Sequence, residues 1–548
     1  VTEANPDLVI LGARLPGIPT EPIDVVITAG RIDSIGLDAG RDASRQATRV
    51  IEADGSVLLP GFQDAHVHPP FAGRNLLHVF LNDLAGRDAY LAAIAKYAAD
   101  HPDEPWVLGG GWSMDAFPKG LPRKEDLDAI VPDRPVFLFN RDVHGAWVNS
   151  EALRRAGISR DTPDPVDGRI ERDTVTGEPT GVLHEGAAYS FNDTVVPLPE
   201  SWQWEQAILA SQRHLHSLGI TTWQDAWVTP ATQQAYESLD ARGELTAHVV
   251  GCLWWDRHRG LEQIDELVER RGDRSGRTGR FRPTSIKIMT DGVLENYTGA
   301  LLQPYCDGCG GHSDNVGLSY LDQEVLVEAV CRLDALDFQV HLHTIGDAAV
   351  RNGLDAFEQA RRRNGANDNR HHMAHIQVVD PVDVARFAEL GVVANCQALW
   401  ACRDDQMDEL TAPFLGPERM QRMYPFADLV ASGARLAMGS DWSVSTADPL
   451  AQIEVAVTRR VPSQPHAEPL LPDQAISLEA ALAAFTEGSA YVNHRDHETG
   501  RLEAGFAADV ILLNGDPLTV PSHEIGSLEV THTVAAGRVV HQPQAPSV

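Results

Sequence analysis

The chain of 548 residues carries 45 basic against 78 acidic side chains, a formal net charge of −33 at pH 7. Such a surface repels phosphate backbones and anionic headgroups, so neither nucleic acid nor membrane is an expected partner. Apolar residues make up 43%, enough for a large core, while scattered cysteines are too few for a disulfide scaffold and point to a reducing cytoplasm.

The first sixty residues read as short strands around Val9, Val25–Thr28 and Ile32–Ile35, separated by glycine and proline. The start, Val1 to Leu11, lacks the pattern of a signal peptide. No apolar run approaches the ~20 residues of a membrane span. The end of the chain looks like the beginning, with strands at Asp509–Leu513 and Thr533–Val540. The phrase Ala29-Gly30-Arg31-Ile32 is echoed by Ala536-Gly537-Arg538-Val539. Residues 1–60 and 497–548 are therefore expected to pair into one β-sandwich, leaving 61–496 as a second domain.

Between the ends, apolar strand-like runs alternate with amphipathic helical stretches, the pattern of parallel strands with helical crossovers. The runs are Phe62–His68, Thr221–Asp225, Ala247–Leu253, Ser285–Met289, Gln339–His343, His372–Ile376, Val392–Gln397 and Arg435–Asp441. Together they predict a (β/α)8 barrel of the α/β class. The first gap is too long for a loop and holds strand-like runs at Trp106–Gly109 and Val136–Phe139. Residues of about 73–200 are read as an inserted subdomain over the barrel mouth. A helix with Ser477 as N-cap is expected over 477–492. The loop pair Cys306 and Cys309, with His312 near it, lacks the second ligand pair of a zinc knuckle.

The chemistry concentrates at strand ends. His66 and His68 lie two apart in a strand, so both imidazoles point to one side, as two ligands of a metal must. His214 and His216 share that spacing in a helical stretch, where they diverge and should be inert. His343, His375 and Asp441 each close a predicted strand, and a barrel gathers its strand ends at one mouth. His341 faces the same way one layer deeper, which suits a buried structural role. Lys287 interrupts an apolar strand. It either reaches the rim, pairs with Asp291, or is converted by CO2 to a carbamate bridging two metals.

This ordered set, His66/His68, Lys287, His343, His375 and Asp441, resembles the binuclear amidohydrolase superfamily along nearly the whole chain. Segments Asp142–Leu153, Gly177–Glu185 and His343–Asp347 are similar to its YtcJ-like branch, amidohydrolase family 3. The resemblance implies a more buried metal on His66, His68 and Asp441, a more exposed one on His343 and His375, and carboxylated Lys287 between them. Zinc is the implied metal, two per chain. Glu185 is an alternative ligand, or else it orders the insert. Water activated by the metals would attack a carbonyl, with Asp441 moving the proton. His144, Trp112 and Glu295 are candidate substrate contacts, His144 also as an oxyanion donor. The expected reaction is hydrolysis of an amide-type C–N bond in a small molecule. A homodimer is compatible with the sequence. A mononuclear deaminase and a non-catalytic barrel are the alternatives. The presence of Lys287 and the phrase Gly346-Asp347 after His343 argue against the deaminase, and six metal-competent positions argue against the non-catalytic barrel.

Overall fold

The computed structural model describes residues 5–18, 21–273, 279–308, 311 and 313–543. Its centre is an eight-stranded parallel barrel of Phe62–Val67, Ile220–Val228, His248–Trp254, Phe281–Met289, Gln339–Thr344, His372–His375, Val393–Cys396 and Leu436–Met438. Neighbours in sequence are neighbours in the sheet, and helices between them pack outside, so most strands are buried on both faces. Each expected run became a strand. The first stops at Val67 because Pro69 and Pro70 offer no N–H to a ladder and instead open the helix Pro69–Leu76. The barrel closes where Asn395 Nδ2 donates to Ala65 O at 2.8 Å and Asp441 N donates to His66 O at 2.7 Å.

Both chain ends form the β-sandwich. One sheet orders Arg31–Gly36, Ile23–Thr28, Leu8–Ala13 and Arg49–Glu52; the other orders Arg538–His541, Val530–Ala535, Val510–Leu513 and Val57–Pro60. Val57–Pro60 pairs antiparallel with Val510–Leu513, and Ile10, Val25, Leu58, Val510 and Leu512 share one core. The expected single strand Thr533–Val540 is in fact a hairpin. It reverses at Ala536-Gly537, where both residues take positive φ (45° and 77°), the geometry of a two-residue I′ turn.

Between the first two barrel strands stands a six-stranded mixed sheet: Gly168–Arg172, Pro179–Glu185, Gly145–Val148, Val136–Asn140, Val107–Trp112 and Val79–Phe80. It has its own apolar cores, one around Trp112, Trp147 and Leu138, the other around Phe137, Leu183 and Phe191. Helix Ser201–Ser217 then leads to the second barrel strand and carries His214 and His216. His216 is held by Ile220 O and Thr246 Oγ1, and His214 stacks on Trp442. Ser477 caps its helix by accepting from Ala480 N at 3.1 Å, but a π-helical turn at Ala484–Gly488 interrupts the expected run. Of the cysteine loop, Cys309 and His312 lie outside the described residues. Among the described residues, no helix is long and apolar enough to cross a membrane.

Candidate metal centre

Strand periodicity brings the first two candidate ligands to one side. His66 Nε2 and His68 Nε2 lie 3.2 and 2.8 Å from Asp441 Oδ1, and the ligand atoms of the three fall within 4.8 Å of one another. Asp441 follows its strand at φ 54°, pinned by its N–H on His66 O and by Val444 N on its own carbonyl. Gly439 makes this crossing possible, since a Cβ there would sit 2.5 Å from His66 N. Asp64 ties the two strands together, its Oδ1 accepting from His66 N and Ser440 N at 3.0 Å each. The rings of His343 and His375 are 4.5 Å apart, and those of His66 and His375 4.7 Å. All six candidates and His144 line one cavity of about 740 Å³ at the mouth.

The protonation of His66 follows from a chain of hydrogen bonds anchored on backbone. Gln339 Nε2 faces the carbonyls of Arg370 (2.9 Å) and Val492 (2.7 Å), which only accept. Its Oε1 therefore accepts from Gln224 Nε2 at 2.9 Å. Gln224 Oε1 accepts in turn from His341 Nδ1 at 2.9 Å, leaving His341 Nε2 to accept from His66 Nδ1 at 2.8 Å. His66 Nε2 is then a bare lone pair pointing at a carboxylate oxygen. Two acceptors face each other with no proton between them, an arrangement that a cation resolves. His341 is thus more than core filling, for it sets the tautomer of His66.

Other observations fit a metal equally well. His375 Nδ1 and Asp441 Oδ1 are buried without a hydrogen-bond partner among the described residues. Burial, then the charge of Lys287, holds the His66 imidazole well below its ordinary range, and burial does the same to His343 and His375. Neutral imidazole is the ligating form. His343 Nδ1 donates to Asp291 Oδ1 at 3.0 Å, which frees Nε2 for the site. Asp291 also accepts from Ile345 N, Gly346 N and Ala300 N. Burial pushes its carboxyl up to about 7, but every group facing it is a donor, so the ionised form is the one accommodated. These bonds also correct one sequence option, since Asp291 is committed to His343 and not to Lys287. Asp291→Asn should weaken metal retention about 10–100-fold, measured by competition with a chromogenic chelator.

Lys287 is 1% exposed on the fourth strand, with burial lowering its amine to about 8. Register sets it beside His341, and Met289 beside His343.

Three candidates stand elsewhere. Glu185 is fully buried but does not line the cavity; its oxygens are taken by His144 Nδ1 (2.8 Å), Tyr320 OH (2.9 Å) and Thr298 Oγ1 (2.7 Å). It orients His144 and is not placed to ligate. Trp112 is not a pocket wall. A register shift between Gly110 and Trp112 turns it into the insert core, where it packs on Phe117 and Trp147 and donates to Leu138 O. Glu295 is also off the cavity, accepting from Thr411 Oγ1 at 2.7 Å, while its neighbour Val293 faces the site.

A barrel whose mouth collects four histidines, an aspartate and a lysine in this order is the framework of a metal-dependent hydrolase. Residues 49–541 match the model of the amidohydrolase family, and the chain belongs to that family. It is 30% identical to YtcJ of Bacillus subtilis over 502 residues, covering 90% of this chain and 91% of that one. It is 27% identical over 532 residues to the N-substituted formamide deformylase of Arthrobacter pascens, with 94% of each chain covered. A metal-dependent hydrolase from Pyrococcus furiosus superposes with a TM-score of 0.71 at 26% identity, over 93% of this chain and 100% of that one. The chain is accordingly an enzyme of the class acting on carbon–nitrogen bonds other than peptide bonds.

Proposed function

We propose that this enzyme hydrolyses an amide-type C–N bond (amide, formamide, carbamate or cyclic amide) in a small substrate bearing a bulky apolar group. The observation that carries this reading is the meeting of His66 Nε2, His68 Nε2 and Asp441 Oδ1 at one point, with His66 Nε2 a bare lone pair toward the carboxylate. These three would hold one divalent cation. His343 and His375 would hold a second, with carboxylated Lys287 joining the two; imidazole and carboxylate donors suit zinc. When bound, such cations supply a water acidic enough to ionise near neutral pH and an electrophilic contact for a carbonyl.

The chain's own groups do the rest. Asp441, whose second oxygen lies 4.0 Å from His375 Nδ1, takes the proton of the attacking water and returns it to the leaving nitrogen. His144 faces His343 across the cavity, ring centroids 5.6 Å apart. Burial alone would lower it, but the charge and hydrogen bond of Glu185, with Asp142 and Asp441, lift it to about 9. Its Nδ1–H is held by Glu185, so the cationic form offers Nε2–H to the carbonyl oxygen as negative charge develops. Away from this polar end, Phe71, Trp227 and Trp254 stack in a row (4.3 and 5.0 Å) along the cavity wall, a surface for an aromatic or aliphatic substituent.

Hydrolysis of a panel of N-substituted amides and formamides, followed by amine release with elemental analysis, tests the reading. About two metals per chain are expected, with loss of turnover on chelation and recovery on adding zinc. About one metal per chain with ammonia release from an aminated ring would favour the deaminase. The pH profile tests His144. Because its folded value lies above that of free histidine, activity should hold through neutral pH and fall as pH rises through about 9. His144→Gln should lower kcat about 10²-fold and abolish that alkaline limb. The His144–Glu185 pair contributes stability fully between the unfolded glutamate and histidine values, losing it as pH rises through about 9 and, on the acid side, as pH falls through about 2.

A further inference from the structure

On the opposite, N-terminal face of the barrel, a second cavity of about 470 Å³ lies at the seam with the β-sandwich. The two echoed phrases of the sequence meet there. In the turns at Ala29-Gly30 and Ala536-Gly537, a Cβ on Gly30 would sit 2.8 Å from Ala536 O, and one on Gly537 would sit 2.7 Å from Gly30 Cα. Only glycine allows this approach, and its result is that Arg31 and Arg538, the next residues of each turn, line the same cavity. Arg280, entering the fourth barrel strand, and Arg495 complete a set of four guanidinium groups. In a chain of net charge −33 this is a marked reversal of sign.

The acidic residues of the lining are Asp7 and Glu498, fewer than the arginines. Glu498 lies 3.2 Å from Arg495 Nη1 and 3.8 Å from Arg31 Nη2. Nearby Asp509, which accepts from Ala536 N and Thr499 Oγ1, is a third carboxylate whose charge reaches Arg280 and Arg495, so the four arginines still outnumber the carboxylates. The Arg538 guanidinium, on an exposed residue, has no hydrogen bond or ion pair among the described residues. Two buried donors also lack acceptors. Arg495 is 3% exposed, yet its Nε–H has no partner among the described residues. His248, on the lining, meets Arg280 Nη1 through Nε2 at 3.3 Å. Arginine can only donate, so His248 Nε2 accepts and the ring proton sits on Nδ1, also buried without a partner. Unmatched buried donors are costly, and both line a cavity in which arginine outnumbers carboxylate.

We infer that this seam is a binding site for a small dianion, a phosphate or a dicarboxylate, clamped between barrel and sandwich by Arg31, Arg538, Arg280 and Arg495. A tetrahedral or planar oxyanion accepts from several guanidinium groups at once. The site is remote from the strand-end histidines and does not depend on the proposed reaction. Occupancy would tie the two domains together and raise thermal stability by mass action.

The test compares metal-loaded wild type with Arg31→Gln/Arg538→Gln, both changes being at exposed positions, in thermal unfolding titrated with inorganic phosphate or malonate against chloride at matched ionic strength. Wild type should show a saturable rise in Tm with at least one dianion, and the variant should need about tenfold more of it, with kcat and metal content unchanged. A response to phosphate alone or to malonate alone identifies which chemistry is preferred. No saturable response to either, or equal responses in wild type and variant, overturns the inference. If the double variant unfolds too early to titrate, Arg538→Gln alone, followed by calorimetry, decides by the same criterion.

Discussion

Asp441→Asn should lower kcat by about 10³-fold while leaving the fold intact. Asparagine keeps one oxygen for a cation near His66 and His68 but loses the charge and the basicity that move a proton. The backbone ties of this position, its N–H on His66 O and its carbonyl under Val444 N, do not involve the side chain and should persist. Retained metal by elemental analysis together with lost turnover is the expected signature. Near wild-type kcat would remove Asp441 from the chemistry.

Lys287→Met should abolish measurable turnover and reduce metal content from about two to about one per chain. The side chain is buried to 1% exposure, and methionine replaces its stem at similar volume, so the barrel should still form. Burial holds the amine at about 8, which leaves a usable fraction neutral near physiological pH, the form that adds to CO2. Wild-type protein equilibrated with 13C-bicarbonate should show a carbamate carbon resonance that the variant lacks. A variant retaining both metals and full rate would show that Lys287 does not join them.

The barrel was legible because eight apolar runs alternate with amphipathic stretches, and several of them finish at a polar, metal-competent residue (His66 and His68, His343, His375, Asp441), which marks both the element and its mouth end. The sandwich was legible from the matching composition of the two termini. The hairpin at Ala536-Gly537 was readable in principle from the same dipeptide at Ala29-Gly30, which turns in the same way. What escaped needed depth or partners, neither of which periodicity encodes. Trp112 was misplaced because a one-residue shift after Gly110 rotates it from the cavity into the insert core. Asp291 lies beyond the fourth strand and finds its partner on the fifth, so its bond to His343 depends on strand register and loop path together. The chain from Gln339 through Gln224 and His341 to His66 crosses strands far apart in sequence. His341 was placed correctly in depth, but its action on His66 emerges only when the tautomers are worked through from the backbone carbonyls.

The central claim is that side chains from five strand ends share divalent cations at the barrel mouth. Anomalous diffraction from crystals of the metal-loaded enzyme, collected on both sides of the zinc edge, tests it most directly. Peaks are expected within bonding distance of His66 Nε2, His68 Nε2 and Asp441, with a second beside His343 and His375. Density at some other place on the chain, or full turnover by protein with no anomalous signal at this mouth, would contradict the account.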